Sequence, residues 1–203
     1  MFVGGTDTTA TTLEWAVSEL MKHPTIRKKA QEEVRRVVGN KSKVEENDIN
    51  QMHYLKCIVK ETMRLHPATP LLVPRETISS VKLKGYDIPA KTMVYFNAWT
   101  IQRDPKYWEN PEEFKPERFE HSQVDFMGQH FQLIPFGFGR RGCPGYNFAT
   151  VAVEYVVANL LYWFDWKLPE TNSGEEDIDM SEIFGMALTK KEPLQLKPIS
   201  FLF

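Results

Sequence analysis

The stretch PFGFGRRGCPG, residues 135–145, contains five residues in the pattern F-x-x-G-x-R-x-C-x-G: Phe136, Gly139, Arg141, Cys143 and Gly145. Each residue type has a background frequency of roughly one in twenty, so the full pattern would arise by chance about once in several million starting positions. The pattern therefore indicates a functional site rather than an ordinary loop.

The loop is suited to binding a flat macrocycle that holds a metal ion. It contains four glycines, which permit positive φ and a close approach of the backbone: Gly137, Gly139, Gly142 and Gly145. We expect Cys143 at the start of a helix, with Pro144 in the first turn, where the amides and the helix dipole stabilise a thiolate by about 0.3 to 2 kcal/mol. A thiolate of this kind is an axial ligand of haem iron that favours O–O cleavage. The alternative is a small buried cysteine at a helix cap, which the glycines and Arg141 disfavour.

These residues resemble the cytochrome P450 family, and the form PFGFGRRGCPG is similar to that of plant microsomal members, which implies a role in plant secondary metabolism. The resemblance covers nearly the whole chain. It implies a b-type haem, iron protoporphyrin, with Cys143 as the axial ligand of the iron. It also implies that Arg141 pairs with a haem propionate and that Phe136 packs beneath the ring near the sulfur, with Gly139 and Gly145 completing the cofactor-binding set. For Arg141 a solvated basic loop is the alternative.

Three further features are assigned to the haem pocket by the same resemblance. Arg75, in LLVPRET, is a second candidate partner for a propionate, and a surface arginine is the alternative. Residues 68–73 and 184–188 match stretches that line the substrate side of the haem. Both stretches are apolar, which implies a hydrophobic small-molecule substrate, although core packing is an equally open interpretation for any single residue.

The helical spacing of Glu61 and Arg64 places a carboxylate and a guanidinium on one face. On an exposed helix this pair contributes only about 0.2 to 0.5 kcal/mol, and that is the alternative. The resemblance implies instead a buried network of Glu61, Arg64 and Arg118, in which loss of one member costs about 3 to 5 kcal/mol. We expect this network to be structural, holding the segment ahead of Cys143 against the helix.

The string GGTDTT, residues 4–9, is poor material for the start of a helix. One interpretation is a helix cap, and Thr11 with Glu14 even has the spacing of a capping box. A phosphate loop is disfavoured because no G-K-[ST] follows. The resemblance implies an oxygen-activation motif, in which the Thr8 hydroxyl and the Asp7 carboxyl are catalytic and deliver protons.

Hydrophobic periodicity predicts a fold class that is mainly α with minor β. The first half of the chain is predicted to contain a helix ending at Pro24, a helix over 25–38, a helix capped by Asp48 that ends near His66, and a small antiparallel sheet over 77–96. An irregular segment over 100–142 follows. The chain then continues with a strongly amphipathic helix over 144–164, an acidic loop over 170–179 and a short β region. The resemblance implies the carboxy-terminal half of the cytochrome P450 fold, from the haem-crossing helix to the chain end. We expect one partial domain over residues 1–203, with the amino-terminal half absent.

Composition excludes several classes of protein. The formal net charge of -2 gives no basic field for nucleic acid, so no nucleic-acid partner is expected. Cys57 and Cys143 form neither a disulfide framework nor a zinc motif, and the five histidines have no metal-binding spacing. The amino terminus has no positively charged region, no long apolar run and no cleavage site, so we expect no signal peptide, membrane anchor or transmembrane segment in these residues.

The resemblance implies a haem-thiolate monooxygenase that inserts one oxygen atom from O2 into a hydrophobic small molecule. Electrons would come from NADPH through a flavoprotein reductase, which is the expected protein partner. Family members of this type are on the cytosolic face of the endoplasmic reticulum membrane. The GGTDTT string disfavours a thiolate-haem enzyme that rearranges peroxides. The alternative from another class is a truncated, non-catalytic fragment of such an enzyme that binds haem or a partner without turnover.

Overall fold

The computed structural model describes residues 2–169 and 178–201, without the side chains of Phe2 and Val3. The predicted acidic loop over 170–179 therefore falls mostly outside the described residues. The described helices are α1 (Phe2–Lys22), α2 (Pro24–Val38), α3 (Glu46–Ile49), α4 (His53–Leu65), α5 (Ala98–Ile101) and α6 (Tyr146–Trp163). Two short 3-10 helices, Pro116–Phe119 and Gly139–Arg141, interrupt the long irregular segment.

The first two helices are confirmed where the sequence predicts them. Pro24 separates α1 from α2 because it is tolerated only in the first turn of a helix. Gly39 ends α2 with a φ of +62°, and its N–H donates to the carbonyl of Arg35. Glycine adopts this left-handed conformation without the steric cost of a Cβ.

The predicted start of the third helix, at Asp48, is wrong. Asp48 lies within the short α3, where its carboxylate accepts from the N–H of Glu45 at 2.9 Å and completes a capping box. The long α4 begins only at His53. Its first amides are capped from α2 instead, because the carboxylate of Glu33 accepts from Tyr54 N at 3.0 Å and from Leu55 N at 2.9 Å.

The main hydrophobic core lies between α1, α2, α4 and α6, each of which contacts the other three. One fully buried side chain from each helix illustrates the packing: Ala16, Val34, Ile58 and Val157. Burying such side chains stabilises the fold by about 25 cal/mol for each Å² of apolar surface.

The predicted strong amphipathicity of α6 is wrong. Its buried face includes Val153 and Glu154, yet its opposite face is also apolar, with Phe148 83% and Tyr155 39% exposed. The one charged residue of the helix, Glu154, lies on the buried face, so apolar and polar residues are not separated onto opposite faces. An exposed apolar face of this kind is typical of a surface that contacts a ligand or a protein.

Short antiparallel strands complete the fold and confirm the predicted minor β content. The pairs are β1 (Arg75–Glu76) with β4 (Met93–Val94), β2 (Val81–Leu83) with β3 (Tyr86–Ile88), β5 (Phe164–Lys167) with β8 (Lys197–Ser200), and β6 (Glu182–Ile183) with β7 (Thr189–Lys190). The sheet predicted for residues 77–96 thus consists of two separate pairs and begins two residues earlier. None of the described helices is both long enough and apolar enough to cross a bilayer.

Candidate functional site

The loop before α6 exposes a single thiol on a tightly turned backbone. The side chain of Cys143 is free and exposed. Its N–H donates to the carbonyl of Phe136 at 2.9 Å, which closes the loop across seven residues of chain. Gly137 and Gly139 adopt φ angles of +71° and +68°, which ordinary side chains rarely adopt. The two glycines therefore allow the turn that presents the sulfur.

The other two glycines of the loop do not use the positive φ that glycine permits. Gly142 has a φ of -60° and Gly145 a φ of -95°. Gly142 is instead a position of close approach, whereas a side chain at Gly145 would make an ordinary van der Waals contact. A Cβ on Gly142 would lie 3.3 Å from the carbonyl oxygen of Gly139, and one on Gly145 would lie 3.9 Å from the sulfur of Cys143.

The start of α6 also differs from the prediction. The helix begins at Tyr146 with Gly145 as its N-cap, so Pro144 precedes the helix rather than occupying its first turn. Proline has no N–H, so the residue that follows Cys143 donates no backbone hydrogen bond. The thiol lies two residues ahead of the N-cap, at the end of the helix where the dipole favours negative charge.

Phe136 lies between the loop and the core. Its ring is half-buried, 5.2 Å from the ring of Phe126 and 6.2 Å from the ring of Tyr146. These aromatic contacts hold the residue whose carbonyl accepts from the amide of Cys143. The sulfur is thereby connected to the rigid core through one hydrogen bond.

The two arginines predicted to bind propionates are brought together. Nη2 of Arg75 donates to the backbone carbonyl of Arg141 at 2.9 Å. Arg75 is half-buried next to β4, whereas the Arg141 side chain is exposed. The Arg75 guanidinium therefore lies against the backbone of the Cys143 loop at Arg141.

These residues fit a thiolate-ligated iron porphyrin. Within residues 2–169 and 178–201, no group of three or more His, Cys, Asp or Glu side chains could hold a bare metal ion. A single thiolate can hold an iron whose equatorial ligands come from a macrocycle, as in haem-thiolate proteins. Two guanidinium groups, at positions 75 and 141, match the anionic carboxylates of such a group.

The carboxylate of Glu61 is fully buried at the centre of an ionic network. It binds Arg64 through two hydrogen bonds, from Nε at 2.8 Å and from Nη2 at 2.9 Å. Its Oε1 also accepts from Nε of Arg118 at 2.9 Å and from the backbone N–H of Lys115 at 2.8 Å. One carboxylate thus joins α4 to the 3-10 helix that follows residue 115.

The remaining donors of the network bind backbone carbonyls of the irregular segment. Arg64 donates to the carbonyls of Gln102, Pro111 and Glu113 at 2.9, 2.7 and 3.2 Å. Arg118 donates to Glu113 at 3.2 Å. A segment with little regular structure is therefore fixed by charge-assisted hydrogen bonds to one helix.

Gln102 is a residue that the sequence patterns did not single out. Its fully buried side chain donates to the carbonyls of Met63 and Arg64, both at 3.0 Å, and accepts from the N–H of Ile134 at 2.8 Å. It therefore ties the end of α4 to the residue just before the 135–145 loop. No local signal marks it, because its three partners are far away in sequence.

The residues of the GGTDTT string lie inside α1, which begins at Phe2, so the helix-cap interpretation of Thr11 and Glu14 is wrong. The Thr8 hydroxyl donates to the carbonyl of Gly4 at 2.7 Å within the helix. The Asp7 side chain is exposed. Neither residue is joined to Cys143 by a hydrogen bond in the described part of the chain.

The two predicted apolar stretches lie against each other. The N–H of Leu188 donates to the carbonyl of Ala68 at 2.9 Å. Leu72 and Leu188 are buried, whereas Val73 is exposed. Core packing therefore accounts for the leucines, and a ligand can still contact the exposed members.

Comparison with known proteins places this geometry in one family. The family model described as Cytochrome P450 matches residues 1–198. The chain is 64% identical over 196 residues to "Cytochrome P450 71A1" of Persea americana, with 97% of this chain and 39% of the relative covered. It is 57% identical to "Phenylacetaldehyde oxime monooxygenase CYP71AN24" of Prunus mume, with 99% of this chain and 38% of the relative covered.

A solved structure agrees with these relatives. The zebra fish cytochrome P450 structure with abiraterone matches with a TM-score of 0.85 and 31% identity, over 98% of this chain and 45% of that one. The chain spans about two fifths of the length of the curated relatives it matches. The mainly α fold with minor β is thus that of part of a cytochrome P450, and the chain belongs to the cytochrome P450 family.

Proposed function

We propose that this chain forms the haem-binding part of a haem-thiolate monooxygenase, with Cys143 as the iron ligand. The observation that carries the proposal is the exposed Cys143 thiol on the glycine-rich loop that Phe136 fixes to the core. When bound, the haem would supply activation of O2 and insertion of one oxygen atom into the substrate. The named relative from Prunus mume, a monooxygenase, supports this class of reaction.

The loop residues would bind and orient the cofactor. The sulfur of Cys143 would ligate the iron, and Gly139 and Gly145 would let the backbone lie close to the ring. The Arg75 and Arg141 guanidinium groups would pair with the propionates. Phe136 would pack beneath the ring while its carbonyl holds the Cys143 amide at 2.9 Å.

Asp7 and Thr8 would move the protons that oxygen activation consumes. The Thr8 hydroxyl donates to the carbonyl of Gly4 and keeps its lone pairs free to accept a proton donor. The exposed Asp7 carboxyl, next to it in sequence, could exchange protons with water.

The network around Glu61 would be structural. Arg64 and Arg118 fix the irregular segment to α4, and Gln102 fixes the end of that segment next to Ile134. Together these contacts would hold the sulfur of Cys143 in register with the cofactor.

The substrate proposed is a small hydrophobic molecule, and the electron donor is NADPH acting through a flavoprotein reductase. Exposed apolar side chains at Val73 and Phe184 support the substrate class. "Phenylacetaldehyde oxime monooxygenase" and "Tryptamine 5-hydroxylase" are names of relatives that are 57% and 54% identical. Both names indicate aromatic molecules, which we propose as first test compounds.

A non-catalytic fragment is the second candidate. It is favoured by the chain's coverage of only 39% of its Persea americana relative and by the exposed apolar face of α6. In that case the chain would bind haem or a partner without turnover.

Turnover distinguishes the two candidates. Residues 1–203 would replace the matching stretch of the Persea americana relative, and the chimera would be assayed with NADPH, the reductase and the two aromatic compounds. We expect oxygenated product, with Thr8→Ala diverting oxygen to hydrogen peroxide and Thr9→Ala as the neighbouring control. Product from the chimera but none from the 203-residue chain assayed alone with the same reductase would favour the non-catalytic candidate, and full coupling in Thr8→Ala would refute the proton-transfer role.

A further inference from the structure

A buried polar cluster joins α1, the end of α4 and β6. Its centre is His66, which follows α4 and is 7% exposed. Nε2 of His66 lies 2.7 Å from Oε1 of Glu19 on α1, and Nδ1 lies 3.3 Å from Oε1 of Glu182 on β6. Both ring nitrogens therefore face carboxylate oxygens, and one imidazole connects three elements.

Trp15 fixes the plane of this imidazole. The two rings are stacked, with centroids 4.0 Å apart and an angle of 1° between planes. Nε1 of the fully buried Trp15 donates to the carbonyl of Leu188 at 2.8 Å, and Nζ of Lys190 lies 5.0 Å from the indole centroid. The β6–β7 hairpin is thus attached to the same stacked pair from both of its strands.

The turn between these strands has a fixed base and exposed apolar side chains. Leu188 donates its N–H to Ala68 and is buried, which holds one end of the turn. Phe184 and Met186, by contrast, are 64% and 73% exposed. Large apolar side chains on a rigid base are suited to contacting a hydrophobic ligand.

We infer that His66 is a positioning residue that fixes the 184–188 turn through Glu19 and Glu182, and thereby determines how the protein discriminates between ligands by size. The inference rests on the proposed function, in which this turn borders the substrate. His66 need not touch the substrate. It acts by holding Phe184 and Met186 in place.

The position of His66 in the chain makes this control direct. It immediately follows the helix that carries Glu61 and Arg64, which hold the segment ahead of Cys143. The same rigid helix therefore sets the place of the sulfur and, through His66, the place of the turn. A displacement at His66 therefore changes the distance between the sulfur and the turn, and with it the space available to a ligand.

The first experiment measures amide hydrogen exchange in the full 203-residue chain without cofactor. Glu182→Ala removes one partner of His66, and Glu192→Ala, an exposed acidic residue just after the same hairpin, is the matched control. We expect amides of residues 184–190 to exchange about tenfold faster in Glu182→Ala, with α2 unchanged and with no effect in Glu192→Ala. His66→Phe, which keeps a ring stacked on Trp15, should give the same local change.

The second experiment compares two ligands of different size in the haem-loaded chain. Imidazole is the small probe, and phenylimidazole adds a ring that extends toward the turn. We expect Glu182→Ala to weaken phenylimidazole about tenfold while imidazole changes less than about twofold. If Glu182→Ala affected stability alone, it would weaken the binding of both ligands equally.

The two arms separate failure of this inference from failure of the proposed function. Unchanged exchange at 184–190, or equal weakening of both ligands, would overturn the positioning role of His66. A chain that binds no haem would count against the proposed function, and the exchange experiment would still decide whether His66 holds the turn.

Discussion

Nε of Arg118 donates to Oε1 of Glu61 at 2.9 Å, across 57 positions of sequence. The carboxylate is fully buried and also neutralises Arg64. Glu61→Gln should therefore leave two guanidinium groups without a charge partner and lower the free energy of unfolding by about 3 to 5 kcal/mol. Urea denaturation measures this difference.

The control for that prediction is an exposed pair. Lys28 and Glu32 on α2 are 3.9 Å apart with both side chains largely in solvent. Lys28→Met should change stability by less than about 1 kcal/mol. Equal effects of Glu61→Gln and Lys28→Met would show that the Glu61 network does not hold the segment.

We expect ionisation of the Glu154 carboxyl to reduce the stability of the fold as pH rises. Burial raises the pKa of this carboxyl, and the charges of Lys56 and Lys60 only partly offset the effect. Because the folded state holds the proton more tightly than the unfolded state, the stabilisation is complete below the unfolded pKa and is lost as pH rises through the folded pKa. Glu154→Gln should therefore be more stable than the natural chain at neutral pH.

Thermal unfolding between pH 4 and pH 8 tests this prediction, and Glu32→Gln on the exposed face of α2 is the control. The advantage of Glu154→Gln should grow with pH, starting near the ordinary carboxyl pKa of about 4.3. A constant difference across the range would contradict the assigned burial.

The stability contributed by Glu19 should depend on pH in the opposite direction to that contributed by Glu154. Burial alone would raise the pKa of its carboxyl, but hydrogen bonds from His23 and His66 outweigh burial and lower the pKa to about 2. Its contribution to stability, about 3 kcal/mol, is therefore present above the unfolded pKa and is lost as pH falls toward the folded value. Glu19→Gln should be less stable at neutral pH and should match the natural chain near pH 2. A difference that persisted there would refute the ionic role.

Replacing Gly139 by alanine should reduce stability through the backbone conformation alone and not through a steric clash. Its φ is +68° and no heavy atom lies within 4 Å of the position of a Cβ. Gly139→Ala should destabilise the chain by about 1 to 2 kcal/mol through the left-handed conformation alone. Gly4→Ala, also in open space but inside α1, should instead stabilise it by about 1 kcal/mol. Thermal unfolding of the two variants should give shifts of opposite sign.

Local patterns predicted the parts of the site whose partners are close in sequence. The glycine and cysteine spacing indicated the exposed Cys143 loop, and the helical spacing of Glu61 and Arg64 indicated their pairing. Such patterns depend on short-range geometry, which sequence spacing encodes directly.

Contacts between distant segments could not be predicted in the same way. Gln102, the Glu33 cap of α4 and the His66 cluster each depend on partners that only the fold brings together. The wrong prediction of strong amphipathicity for α6 has the same origin, because tertiary packing decides that the carboxyl of Glu154 is buried. Tertiary context therefore decided the residues that connect the helices to the site.

The most direct test of the central claim is the absorption spectrum of the reduced, CO-bound chain after loading with haem. We expect a red-shifted band characteristic of thiolate ligation that is lost in Cys143→Ser and retained in Cys57→Ser. A band of the histidine-ligated type in the unmodified chain, or a thiolate band that survives Cys143→Ser, would contradict that claim.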